Sequence, residues 1–182
     1  MINLKRVPVR ELCQISLFAA IIAVCAQIQI PQPGGVPFAL QSWAVTLSGL
    51  VLGSKKGVIA VMVYITLGAA GAPVFAGFAG GLGVIMRHTG GFIVSFPLLA
   101  FFAGIKSKNG KYIIVTILVA LGTVINMTVG FFWFVWVMEF SLPISFGFAV
   151  APFILPETIK TIALPLISKK IKEALRKARV LL

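Results

Sequence analysis

The sequence predicts an all-α integral membrane protein: one domain over residues 1–182, built as a bundle of six transmembrane helices with a glycine-rich extracellular lid and both termini cytoplasmic. Three observations predict it. The chain is 59% hydrophobic and only 11% charged, with a mean hydropathy of +1.07, whereas a soluble domain carries about 25% charged residues. At roughly 20 residues per span, six spans and short connections use up nearly all of the 182 residues and leave no room for a soluble catalytic or nucleotide-binding domain. Third, the cations behind the net charge of +12 sit in short clusters between apolar runs, without the aromatic interleaving of a nucleic-acid surface, which is how topology signals are arranged.

Helix 1 is expected over about residues 12–30. Lys5, Arg6 and Arg10 precede this run as they would in a signal peptide, but it is long for such a segment and ends in Pro-Gln-Pro-Gly-Gly, not in a small-x-small cleavage site, so it reads as a retained helix. Helix 2 is expected at 39–53, helix 3 at 57–70, helix 4 at 89–105 and helix 5 at 112–138. Pro156 interrupts the last apolar run, and proline suits the first turn of a helix far better than its interior. A short element at 143–154 followed by helix 6 from Pro156 into the basic tail Lys169–Arg179 satisfies that constraint. Fourteen of the 16 Lys and Arg then fall on one side of an even-numbered bundle: Lys5, Arg6, Arg10, Lys55, Lys56, Lys106, Lys108, Lys111, Lys169, Lys170, Lys172, Arg176, Lys177 and Arg179. That side is cytoplasmic by the positive-inside rule. Arg87 and Lys160 are left over.

Lys160 follows Glu157 by one helical turn, so the two project from one face at the start of helix 6. A charge inside the bilayer costs about 2.5–3.5 kcal/mol on insertion scales. The pair is therefore either self-satisfied or a ligand site, with Lys160 offering a cation and Glu157 accepting from N–H donors. Residues 71–83 are too rich in glycine for a stable helix and too apolar for a solvated loop. They fit a lid or cavity wall in which Phe75 and Phe78 cover a ligand, or else a flexible connection; no Gly-Lys-Ser/Thr ending marks a phosphate-binding loop. Gln41, at the mouth of helix 2, can bond a ligand or its neighbouring backbone. Trp133 and Trp136 suit an interfacial belt, with Trp133 also able to stack on a ligand. His88, beside Arg87, stands without an acidic or thiol partner, and Cys13 and Cys25 share one apolar run with no CxxC; these imply neither a metal site nor a cofactor. Ala19 and Ala23 make a small-xxx-small strip suited either to packing within the bundle or to docking a partner helix.

Four blocks, in order, resemble the biotin-specific substrate-binding subunits, the BioY family, of energy-coupling factor transporters. They are Ile30-Pro-Gln-Pro-Gly-Gly-Val-Pro-Phe-Ala-Leu-Gln41, Gly71-Ala-Pro-Val-Phe-Ala-Gly-Phe-Ala-Gly-Gly81, Thr89-Gly-Gly-Phe-Ile-Val-Ser-Phe96 and Pro156-Glu-Thr-Ile-Lys160. The resemblance implies a multi-pass subunit of the bacterial cell membrane. Such a subunit captures biotin from outside and docks on a membrane coupling protein and two ATPase subunits that power release. It implies ligand contacts at Lys160, Glu157, the lid around Ala79 and the aromatic Phe92, with Trp133 as a further candidate beside the Gln41 and Phe75 already named, and a docking role for Ala19 and Ala23. Glu157 stands where the family usually has Asp, Ala79 where it has Asn or Ser, and Arg87-His-Thr-Gly-Gly-Phe92 where it has Gly-Pro-Thr-Gly-Gly-Tyr. Arg87 is thereby a candidate for the ligand's carboxylate. A subunit of the same fold for another vitamin or small organic anion is the alternative. An intramembrane enzyme lacks its catalytic constellation here, and a channel lacks a polar stripe.

Overall fold

The structure is a computed structural model that describes residues 8–32, 34–105 and 112–177. Of the expected cytoplasmic cations, Lys5, Arg6, Lys106, Lys108, Lys111 and Arg179 lie outside them.

The chain is mostly helical. Helix α1 (Val9–Gln27) is followed by two short strands, β1 (Gln29–Ile30) and β2 (Phe38–Ala39). They pair antiparallel with Gln29 opposite Ala39 and Ile30 opposite Phe38. The expectation of an all-α chain, and of helix 1 running to residue 30, is corrected here. The proline-rich loop doubles back on itself, and its backbone groups satisfy one another where little water is available to do so. Helices α2 (Gln41–Leu52) and α3 (Ser54–Ala69) follow, joined through Gly53 alone at φ +83°, a left-handed conformation that glycine adopts without a Cβ penalty. Lys55 and Lys56, expected between helices, therefore sit in the first turn of α3, where Lys56 Nζ lies 2.8 Å from Glu11 on α1.

The glycine-rich segment contains only one helical turn, α4 (Leu82–Ile85), before α5 (Gly90–Gly104). Helix α6 (Tyr112–Met138) has the expected bounds. Helix α7 (Leu142–Ala149) and a 3-10 turn at Ala151–Phe153 lead into α8 (Ile154–Lys177). Because α8 begins two residues before Pro156, that proline lies in the first turn and removes no helical hydrogen bond.

Helix α5 packs against α2, α3 and α6; α1 lies along α2 and α3, and α8 along α2 and α6. The main core joins Ile22, Val45, Val61, Tyr64, Phe96 and Leu99 from α1, α2, α3 and α5. Large apolar side chains such as Leu17, Ile113, Ile117, Leu155 and Ile162 face outward, as lipid-facing residues do. Among the described residues, three helical stretches are long and apolar enough to cross a membrane, Val9–Gln27, Tyr112–Met138 and the α7–α8 run Leu142–Leu175. Helix α2, with 12 residues, rises about 18 Å at 1.5 Å per residue, well short of a hydrocarbon core of about 30 Å.

Candidate ligand-binding cavity

Where α2, α5 and α8 begin, the bundle encloses a cavity of about 240 Å³, slightly below the usual ligand-pocket range of about 300–1,000 Å³. The β1–β2 loop forms one wall through Gly35–Ala39, and the glycine-rich segment another through Phe75, Ala76 and Ala79. Phe92, Ile93 and Phe96 of α5, Met127 of α6 and Phe153 make most of the lining apolar. The polar groups converge on it from Gln41, Ser42, Asn126, Glu157, Arg87 and His88.

Of the nine residues expected against a ligand, six line this one cavity: Gln41, Phe75, Ala79, Arg87, Phe92 and Glu157. Lys160, Trp133 and Phe78 stand outside the lining. Lys160 is fully buried, 0% exposed, directly behind Glu157, which is 6% exposed. The lysine ammonium is paired with Glu157 Oε2, while Ser42 Oγ donates to Oε1 at 2.9 Å. Each carboxylate oxygen thus has one partner within the protein, and the pair is neutral as a unit. Removing one member of such a pair strands an uncompensated charge, which costs far more than the pair itself contributes. Trp133 serves the frame of the cavity. Its Nε1–H donates to the Arg87 carbonyl at 3.0 Å, and its side chain occupies the space that a Cβ on Gly91 would need.

The segment expected as a lid is held from inside. Phe75 is buried edge-on against Tyr64 at 5.5 Å between ring centroids, over Gly68, where a Cβ would collide with its ring. Phe78 does not cover the cavity as expected: it is 72% exposed and absent from the lining. The tight turn at Gly77-Phe78 sends its side chain outward while Phe75 goes in. Gln41 uses its side chain against Tyr64, with Nε2 donating to the phenol oxygen at 2.7 Å, and still lines the cavity. His88 Nε2 donates to the Gly35 carbonyl at 2.9 Å, tying the β1–β2 loop to the turn before α5. Arg87 is exposed at the rim and has no carboxylate partner among the described residues.

Three contributors were not singled out from the sequence. Ser42 holds Glu157, and Tyr64 holds Gln41. Asn126 is 1% exposed on α6, with Nδ2 donating to the Phe92 carbonyl at 3.0 Å and to Ser95 Oγ at 2.7 Å. Both amide hydrogens are thereby used, and Oδ1 is the group left to accept. Its signal was present in the sequence: an amide within a 27-residue apolar helix is costly unless it has a purpose. Ala19 is not part of the cavity lining but is 5% exposed in the main core, and Ala23 is half-buried against that core. Packing within the bundle therefore takes up most of this strip.

Comparison with known proteins agrees with this architecture. A crystal structure of the S-component for biotin from an ECF-type ABC transporter superposes with a TM-score of 0.81, at 26% identity and over 95% of both chains. A probable biotin transporter BioY of Pyrococcus horikoshii is 37% identical over 90% of this chain and 96% of its own. A biotin transporter BioY of Thermotoga maritima is 38% identical over the same shares. The BioY family model matches residues 2–177. With relatives of that name covering nine-tenths of its length and the family pattern running through nearly all of it, the chain belongs to the BioY family.

Proposed function

We infer that this protein captures biotin as the substrate-specific subunit of an energy-coupling factor importer. The observation that carries this reading is the buried Glu157–Lys160 pair set into the wall of a small, mostly apolar cavity. Biotin is an apolar bicycle and chain with a ureido group at one end and a carboxylate at the other. Glu157 and Asn126 Oδ1 accept from the ureido N–H groups, and Gln41 has one amide hydrogen left for the ureido carbonyl. Lys160, behind the wall, holds Glu157 in place and neutralises it. Phe92, Phe96 and Phe153 enclose the apolar middle. Arg87 at the rim takes the carboxylate, which then stays close to water, and Ala79 contributes shape alone.

In this reading α1, α2, α3, α5, α6 and α8 are the six transmembrane helices, and residues 71–83 form the extracellular lid. Both termini, with their lysines and arginines, are cytoplasmic in a multi-pass protein of the bacterial cell membrane. The membrane coupling protein docks on α1 along the edge that Ala23 shares with the exposed Ala20 and Val24, Ala19 setting how closely α1 packs behind it. Two ATPase subunits supply the energy, since this chain has no phosphate-binding loop.

Mass spectrometry of the small molecule that co-purifies, followed by thermal shift of the emptied protein against a panel of vitamins, tests the reading. Biotin is expected to co-purify and to raise the melting temperature. Stabilisation by another vitamin with no response to biotin overturns it in favour of the same fold serving a different ligand.

A further inference from the structure

We propose that Gln27, the last residue of α1, is a positioning residue of the binding site that holds the 74–79 loop over the cavity and ties it mechanically to α1; this rests on the reading of that loop as the lid. The side-chain amide of Gln27 is wholly committed. Its two Nε2 hydrogens are shared among three carbonyls, Val74 at 3.2 Å, Phe75 at 3.1 Å and Ala23 one turn back at 3.0 Å, so one of them is bifurcated. Its Oε1 accepts from the backbone N–H of Phe78 at 2.8 Å. One side chain thus closes both ends of the loop, whose own backbone contributes a bond from Phe75 N–H to the Ala79 carbonyl at 2.9 Å.

The loop needs such a clasp. Gly77 and Phe78 are both left-handed, at φ +73° and +55°, and a non-glycine residue adopts that conformation uncommonly. The Phe78 side chain is exposed and cannot anchor its own backbone. Phe75, Ala76 and Ala79 nevertheless line the cavity, so the shape of that wall depends on how the loop is held. Gln27 is not itself a lining residue; it acts through the backbone of Phe75, which is, and of the neighbouring Val74 and Phe78. Because the clasp sits on the last turn of α1, any displacement of that helix end is passed to the lid without an intervening flexible segment.

The test is Gln27→Leu, which keeps the size of the side chain and removes all of its polar bonds. Biotin dissociation is expected to accelerate about tenfold, with amide exchange at Phe75 and Phe78 rising in the ligand-free protein while exchange in α5 and α6 stays unchanged. A dissociation rate equal to wild type overturns the proposal, as does exchange that rises evenly through α5 and α6, which would mark a general loosening. Should the leucine variant fail to fold, Gln27→Glu keeps the acceptor for Phe78 and loses both donors. It is expected to protect Phe78 while still releasing biotin faster, and wild-type dissociation again overturns the proposal. A wild-type protein that binds no biotin would sink the proposed function instead, leaving the ligand-free exchange at Phe75 and Phe78 as the measure of the clasp.

Discussion

The two ends of the α2–α3–α5 cluster use glycine in opposite ways. At one end glycines bring backbone onto backbone: Gly49 of α2 lies on the Ala100 carbonyl of α5, Gly57 of α3 on Gly49, and Gly104 of α5 on Ser54. At the other end Gly90 of α5 lies on the Ile85 carbonyl, but three further glycines receive aromatic side chains. Gly68 takes Phe75, Gly91 takes Trp133 and, on α6, Gly130 takes Phe92. Helices in lipid gain little from burying apolar surface against one another, so close backbone approach supplies much of their attraction. The closed end is therefore packed backbone against backbone. The other end spreads the same helices around Tyr64, Gln41 and the phenylalanines, and the cavity is the space so produced. Close helix packing and the cavity thus lie at opposite ends of the same three helices.

Substitutions at the two ends separate these roles. The largest effect is expected for Lys160→Ala, which leaves Glu157 buried and unpaired at a cost of about 3–5 kcal/mol, enough to abolish biotin binding in an equilibrium titration. Wild-type affinity in that variant would remove Lys160 from the site. Next, Gly49→Val forces α2 from α5, and overpacking of about 1–3 kcal/mol is expected to lower the midpoint of thermal unfolding in detergent. Biotin affinity of the folded fraction should be unchanged; an affinity loss without destabilisation would erase the contrast between the ends. The converse is expected of Gly130→Ala, whose new methyl displaces the Phe92 ring. Asn126→Ala removes one acceptor from the cavity and should weaken biotin about tenfold by calorimetry. The smallest change is expected for Arg87→Gln, a loss of about threefold that fades at high salt, because an exposed ion pair contributes only about 0–1 kcal/mol. The same variant should bind biotinamide as wild type does, and equal losses for both ligands would detach Arg87 from the carboxylate.

Some of this was legible in the residues. A 27-residue apolar run bounds α6 without ambiguity, and Pro156 placed the start of the last helix to within two residues. Glu157 and Lys160 stood out because charge in an apolar run is costly. The aromatics were harder to sort. Phe75 and Phe78 are equivalent in a glycine-rich string, and only the left-handed backbone at Gly77 and Phe78 turns one inward and the other outward. Phe92 was expected at the ligand and Trp133 in an interfacial belt or stacked on the ligand; Phe92 lines the cavity, while Trp133 packs against Gly91 outside the lining. Ser42, Tyr64 and Gln27 carried no signal, because hydroxyl and amide side chains near helix ends are ordinary.

Composition, hydropathy and the spacing of cations determined by themselves that this is a helical membrane protein, since transfer of apolar surface and charge depends on residue identity and segment length, whatever the neighbours. The cost of burying a carboxylate and an ammonium, also local, marked residues 157 and 160. Only the tertiary structure decided that Lys160 stands behind the wall while Glu157 forms it, that Asn126 presents an oxygen and not its amide hydrogens, and that Gln27 bonds the backbone of Val74, Phe75 and Phe78. Those outcomes depend on which hydrogen-bond partner lies within about 3 Å, a distance set jointly by helices that meet from far apart in the chain.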